Sequence, residues 1–506
     1  MTSDRADPPP LRLRWALACA ALTAVLFVPG LPPLAIWPPV LVSFAPLYLA
    51  IERQSPRRAF GIGWASGTVA TFAGFFWLVE TLRKFGELPL PAAMGVLALL
   101  SAYNGGRLGL ACWLSARAAL RGWPPAPAFA LAFLTSELVY PLVFPWYIAT
   151  AADRALPLLQ PAELGGPLLV DLLLLVPSLA LGEALRRLRA GRRPSMAIVG
   201  LGAAIPALTA TWGAFRMTQE RDAWASAPEL TIGLVQGNAP AGTHATVEQL
   251  QRLTATLSAS GVDLVIWPET AFATSYNDLT YTTTIPEQVT GTLGVPTVFG
   301  ARMWGEGATP DAPRIRHNSV MLAGEGGAIL GRYDKHMLLP FGEYTPFEQT
   351  FPAIGRLLTH AGHFRAGVGA QPLVLGDIRL LAFVCYEDIL PAYVNGQVMA
   401  TDPDLLVNVT NDAWFGDTAE PWIHLGEARL RAIEHRRFLV RATNSGPSGV
   451  VDATGADGTM SEVFTEGTTT VSARLLRSRT LYERIGDVPW WIGAALSMLA
   501  AFVRRR

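Results

Sequence analysis

From residue 11 to 217 the chain runs through long apolar stretches separated by short clusters of arginine. From 228 to 480 the apolar runs shrink to strand length and alternate with turns. A helical crossing of a bilayer takes about 20 predominantly apolar residues. Seven stretches before residue 220 reach or approach that length: 13–30, 36–51, 60–81, 89–115, 125–148, 162–185 and 196–216. An eighth, "WWIGAALSMLAAFV", covers 490–503. Several contain Pro or Gly, which membrane helices tolerate; the second, beginning "IWPPVLVSFAPL", is short.

The arginines predict an orientation, because cytoplasmic loops collect Arg and Lys. Arg5, Arg12 and Arg14 precede the first stretch, and Arg53, Arg57 and Arg58 follow the second. Arg117 and Arg121 follow the fourth, Arg186, Arg187, Arg189, Arg192 and Arg193 crowd the loop after the sixth, and Arg504, Arg505 and Arg506 end the chain. All these loops share one parity; Arg83 and Lys84 dissent. The N-terminus is therefore expected inside and the segment between stretches seven and eight outside. A cleaved signal peptide is the rival reading of the first stretch, but its removal breaks the parity. The expected organisation is a seven-span bundle over 1–220, a globular domain over 221–485, and a last membrane helix with a cytoplasmic tail over 486–506.

In the globular segment, runs such as "ELTIGLVQ", "VDLVIWPE", "RLLAFVCYE" and "DLLVNVT" read as strands. "VMLAGEGGAILGRY" reads as a hairpin with glycines in its turn. "HLGEARLRAIEHRRFLV" has helical spacing, with its arginines expected on a solvated or ion-paired face. Strands alternating with helices predict sheets covered by helices. Composition agrees with the division: 16% of residues are charged, against about 25% in soluble domains. The formal net charge of +0 gives no reason to expect a nucleic acid partner. Of the three cysteines, Cys19 and Cys112 fall in apolar stretches and Cys385 in the globular segment, which argues against a disulfide framework.

Cys385 then needs a reason, since an idle thiol facing an oxidising compartment is disfavoured. Glu269 closes "LVIWPE", Lys335 follows "LGRYD" and Cys385 closes "LLAFVC". Singly, these read as a turn residue, a surface charge and a buried small hydrophobe. Together they supply a base, a cation and a nucleophile, the set that acyl transfer needs.

"WPET", "YDKHMLLPFGEYTP", "CYED" and "NVTNDAWFG" resemble the nitrilase, or carbon–nitrogen hydrolase, superfamily. "LLPFGEYTP", "NDAWFG", "PWIHLGEARLRAIE" and "RATNSGPSGVVDATG" are more similar to its membrane branch, the apolipoprotein N-acyltransferases, and the likeness extends over the whole chain. The resemblance implies a polytopic helical bundle of about eight spans with an extracytoplasmic α-β-β-α sandwich between spans seven and eight. It implies Glu269 as base, Lys335 as oxyanion-stabilising cation and Cys385 as nucleophile, with Glu343, Tyr386 and Glu387 as supporting residues. It further implies a bacterial inner-membrane enzyme that needs no cofactor or metal. Acyl chains would pass from a glycerophospholipid through a cysteine thioester to the N-terminal amine of a diacylglyceryl apolipoprotein, with a monomer as the expected working state. One departure is "APAGTHATVEQ" after "VQGN", where the family often carries an aromatic or basic pair; "HML" also stands where "HLV"-like residues are commoner.

Rival functions are a membrane-anchored amidase hydrolysing a small amide, an acyltransferase with another amine acceptor, and a catalytically dead scaffold. Glu137 and Asp171 lie in apolar stretches and are either functional or paired within the bundle. "THAGHF" places His360 and His363 at a His-x-x-His spacing, without an evident third ligand, and is expected as a gating loop rather than a metal site. Trp77, Trp146, Trp490 and Trp491 are expected as interface anchors.

Overall fold

The computed structural model describes residues 8–84, 86–306, 314–348, 350 and 362–505. The chain forms two compact units, Met1–Gln219 with Arg484–Arg506, and Glu220–Glu483.

In the helical unit, and among the described residues, three helices combine length and apolarity enough to cross a membrane: Leu13–Gly30, Ala162–Arg189 and Met196–Trp224. Pro56–Gly74 and Leu78–Lys84, bent by 57°, make a fourth if taken as one broken span. The eight expected spans are thus not eight full-length apolar helices, and proline explains much of the difference. Pro38 and Pro39 turn the start of the second stretch into a 3-10 segment, Pro38–Val42, before the short helix Ala45–Ala50. Helix Pro125–Val139 stops before Pro141 and Pro145, although apolar residues continue to 148. Helix Leu90–Leu120 is long, but Ser101, Asn104 and Arg107 interrupt its apolar run.

Small residues let these helices approach. A Cβ on Gly67 would stand 2.9 Å from the Cα of Gly105, so helices Pro56–Gly74 and Leu90–Leu120 pack backbone to backbone there. Charge is handled internally. Arg107 pairs with Glu137 at 3.2 Å and lies over the Trp146 ring, 3.7 Å from its centroid. Asp171 accepts backbone N–H bonds from Ile148 and Ala149 at 2.9 and 2.7 Å. Glu137 and Asp171 are therefore paired within the bundle. Trp77 and Trp146 are buried rather than interfacial, and Trp490 donates to the Gly165 carbonyl at 2.8 Å.

The second unit is built on two sheets. In the first, the order is β13-β1-β2-β4-β5-β6, with β3 beside β4. Its strands are β1 (Glu229–Gln236), β2 (Leu264–Ile266), β3 (Ser275–Asn277), β4 (Thr297–Gly305), β5 (Ile315–Ala323), β6 (Ile329–Asp334) and β13 (Gly467–Arg474). The second has the order β12-β11-β10-β9-β8-β7. It comprises β7 (Leu373–Leu375), β8 (Ile378–Val384), β9 (Leu405–Thr410), β10 (Leu439–Thr443), β11 (Gly449–Val451) and β12 (Asp457–Met460). The central strands β1, β2 and β4, and β8, β9 and β10, run parallel. Buried on both faces, they read as continuous apolar runs.

The alternation along β8 shows the layering. Leu380, Ala382 and Val384 face the other sheet, where they meet Ile266, Val298 and Val320. Leu381 and Phe383 face outward onto Val394, Leu425 and Ala428 of helices Pro391–Thr401 and Glu420–His435. On the far side, Val265 and Phe299 pack against Leu250 and Leu257 of helix Val247–Ala259. The unit is an α-β-β-α sandwich. The expected hairpin is β5 with β6, and Gly327 takes φ +84° in its turn.

Candidate active site

Three strand ends meet. Past β2, Trp267 and Pro268 lead to Glu269, which is buried, and Thr270 turns the chain at φ 44°. Gly300 on β4 makes room for that turn: a Cβ there would stand 2.6 Å from the Glu269 Cα. The β5–β6 pairing sets Asn318 beside Lys335, whose N–H donates to the Asn318 carbonyl at 2.8 Å. At the end of β8, Cys385 opens the 3-10 turn Cys385–Ile389 with φ 52°. That left-handed conformation is costly for a side chain with a Cβ and clusters at functional sites.

Side chains join these ends. Asn318 Nδ2 donates to Glu269 Oε1 at 2.7 Å and to Glu343 Oε1 at 3.0 Å. Lys335 Nζ lies 2.8 Å from Glu343 Oε2, and the Leu339 N–H donates to the same oxygen at 2.9 Å. Glu387 serves the backbone instead. Its Oε1 accepts from Tyr333 Oη at 2.7 Å and from the His336 and Met337 N–H groups at 2.8 and 3.0 Å. Its Oε2 accepts from the Val384 N–H at 2.8 Å. One buried carboxylate thus ties the chain after Lys335 to the chain before Cys385. Tyr386 is buried beside Cys385, and burial, with Tyr344 nearby, pushes its phenol up to about 12.

The electrostatics favour a proton held within the site. Burial lifts Glu269 above the ordinary carboxylate range; Lys335 opposes this and Glu343 adds to it. Burial works against charge on Lys335, but Glu343, Cys385, Glu269 and Glu387 outweigh it and raise its pKa. Burial and the Glu269 charge push the Cys385 thiol up, against Lys335 and a hydrogen bond with Thr410. These shifts favour a neutral thiol on Cys385 beside a charged Lys335, so forming a thiolate here needs a base to take the proton.

Sequence reasoning missed Asn318, Thr410, Asn411 and the layer behind the cysteine. Asn411 donates its backbone N–H to Glu269. Asn318 was legible only as a polar residue inside the apolar run "HNSVMLA". The arginines of "EARLRAIEHRRFLVR" are not solvated: Arg429, Arg431, Arg436, Arg437 and Arg441 are all fully buried on carbonyls and carboxylates. Asp412, Glu420 and His424 bring one possible ligand atom each to within 4.8 Å of one another. Arg441 already supplies a positive charge there, with Nη2 3.1 Å from Asp412 Oδ2 and 3.0 Å from His424 Nδ1. His360 lies outside the described residues; His363 is exposed, 4.0 Å from Glu348.

Residues 23–180 match the family described as the apolipoprotein N-acyltransferase N-terminal domain, and residues 231–479 match the carbon-nitrogen hydrolase family. An apolipoprotein N-acyltransferase of Geobacter metallireducens is 31% identical, covering 96% of this chain and 95% of its own. One from Ralstonia nicotianae is also 31% identical, over 98% and 95%. Among solved structures, an amidase from Nesterenkonia sp. is 22% identical over 51% of this chain and 95% of its own, with a TM-score of 0.36.

Proposed function

The chain belongs to the apolipoprotein N-acyltransferase family, and we propose that it moves an acyl chain from a glycerophospholipid, through a Cys385 thioester, to the N-terminal amine of a diacylglyceryl apolipoprotein. The observation that carries this reading is the convergence of Glu269, Lys335 and Cys385, with Asn318 and Glu343 linking the base to the cation.

The steps follow from the groups present. Glu269 takes the thiol proton as Cys385 sulfur attacks the ester carbonyl, and Lys335 meets the developing oxyanion. The intermediate collapses by breaking the C–O bond, and the proton on Glu269 passes to the departing lysophospholipid oxygen. The thioester then waits for the second lipid. The acceptor amine attacks, Glu269 takes its proton, and Lys335 stabilises the second oxyanion. Breaking the C–S bond releases the amide, and the thiolate recovers its proton. A single cationic donor in such a position contributes about 3 kcal/mol, and the sequence is ping-pong.

We place the enzyme in the bacterial inner membrane as a multi-pass protein, with the sandwich on the periplasmic side; the arginine parity supports that orientation. We propose a monomer as the working state. The test is intact mass after incubation with phospholipid and no amine. The expected result is one acyl chain on Cys385, released as an N-acyl product when a diacylglyceryl lipopeptide is added. Ammonia release from small amides without lipopeptide acylation would instead establish an amidase, and absence of any acyl adduct would establish a scaffold.

A further inference from the structure

Behind Cys385 lies a layer of fully buried polar side chains that the chemistry above does not use, centred on Arg441 of β10. Arg441 Nη1 donates to Asn408 Oδ1 at 3.1 Å, and Asn408 Nδ2 donates to the Cys385 carbonyl at 3.1 Å. Arg441 Nη2 donates to both oxygens of Asp412, at 3.2 and 3.1 Å. Asp412 in turn lies 3.4 Å from Thr410 Oγ1, the hydroxyl that hydrogen-bonds the Cys385 side chain. His424, from helix Glu420–His435, stands between Arg441 and the cysteine turn. Its Nδ1 is 3.0 Å from Arg441 Nη2 and its Nε2 is 2.8 Å from Asp388 Oδ1.

These contacts close a loop. From Arg441, one route reaches the main chain of Cys385 through Asn408. A second reaches its side chain through Asp412 and Thr410. A third reaches Asp388, three residues further along the same turn, through His424 and, at the longer distance of 3.5 Å, directly from Arg441 Nη1. Cys385 itself sits at φ 52°, a conformation that persists only where the surroundings over-determine it. Exposure of Arg441, Asp388, Asn408 and Asp412 is 0% and of His424 5%, so water competes for little of this layer. We infer that the Arg441–Asn408–Asp412–His424–Asp388 network is a positioning device that holds Cys385 in attacking geometry, with His424 as the member contributed by helix Glu420–His435.

The inference rests on Cys385 being the nucleophile, and the test separates the two. Full-length protein in detergent is treated with iodoacetamide across a pH series, with Cys385→Ala as the blank, and alkylation is read by intact mass. The same protein is given mixed phosphatidylethanolamine–phosphatidylglycerol micelles, and the rate of acyl-enzyme formation is measured against lipid concentration. If wild-type Cys385 takes up neither label, the thioester reading fails and this one with it.

Given labelling, His424→Leu should slow acylation at saturating lipid by about ten- to a hundred-fold, the loss that a small misplacement of a reacting group causes. Half-saturation should stay unchanged, and the pH midpoint of alkylation should move. His424→Gln, whose amide can donate to Asp388, should recover most of the rate. A wild-type rate with an unmoved pH midpoint in His424→Leu overturns the inference, as does a folded His424→Gln no faster than His424→Leu. Should the leucine variant not fold, Asn408→Asp replaces it: it keeps the shape, adds a charge that Arg441 accepts, and removes the donor to the Cys385 carbonyl. It is read by the same rate and midpoint, and wild-type values there overturn the inference too.

Discussion

At the residue scale, the surroundings of Cys385, the proposed nucleophile, disfavour its ionised form at rest. Burial pushes the Cys385 thiol up, so the reaction depends on Glu269 being deprotonated when the ester arrives. Glu269 is itself raised by burial and by Glu343 against the pull of Lys335. Acylation should therefore fall as pH drops through a value above the ordinary glutamate pKa of about 4.3. Glu343→Gln removes a negative neighbour, eases ionisation of Glu269 and should move that acidic limb to lower pH in a profile of acyl-enzyme formation. A limb that stays in place or moves up would show that Glu343 does not act on the base. Glu269→Gln should accumulate no acyl-enzyme at a normal rate. Lys335→Ala should slow acylation and aminolysis alike by about a hundred-fold or more, and Lys335→Arg should rescue poorly because a planar fork does not replace a compact ammonium. Single-turnover rates for the two half-reactions check both.

At the element scale, the strands deliver these groups and Glu387 joins the strand ends. Glu387→Gln keeps the size but leaves one terminal oxygen where five N–H or O–H donors, Tyr393 Oη at 3.4 Å among them, now share two. A buried donor left unpaired costs about 1–3 kcal/mol, so the variant should unfold earlier in denaturant and form acyl-enzyme more slowly. Equal stability to wild type would show that the tie is dispensable. The strand ends were legible because each reactive group stands at or just past the end of an apolar run: Glu269 after "LVIWP", Lys335 after "AILGRYD", Cys385 after "LLAFV". Asn318 and Arg441 were not, because a polar residue inside a strand reads alike whether it binds a carboxylate or breaks the pattern. For a related reason the spacing of helix Glu420–His435 leaves its arginines open to a solvated or an ion-paired face, and the structure shows the second, with Arg429 on Asp457 and Arg431 on Glu434. Helical spacing shows which residues share a face, not whether other chain covers it. The span count erred differently: an apolar window persists through "YPLVFPWY", where Pro141 and Pro145 do not allow the helix to continue.

At the scale of the whole molecule, the arginine parity makes the strongest prediction. A reporter fused after residue 220 should be active only outside the cytoplasm and one fused at 190 only inside, as the loop of Arg186 to Arg193 requires. Protection of residue 300 from an impermeant label applied outside the inner membrane would contradict it. The sandwich carries a consequence in time. β1 pairs along its whole length with β13, Glu229 opposite Arg474 through Gln236 opposite Gly467, although more than two hundred residues separate them. Such distant pairing makes for slow folding, and until the partner strand arrives the early strand exposes an open edge. During synthesis, the segment that supplies Glu269 and Lys335 therefore emerges long before the strand that seals its sheet. A ribosome stalled between residues 385 and 467 should hold a chain whose cysteine is present and whose sheet is still open, so the proposed lipid turnover should begin only when almost the entire polypeptide has been made.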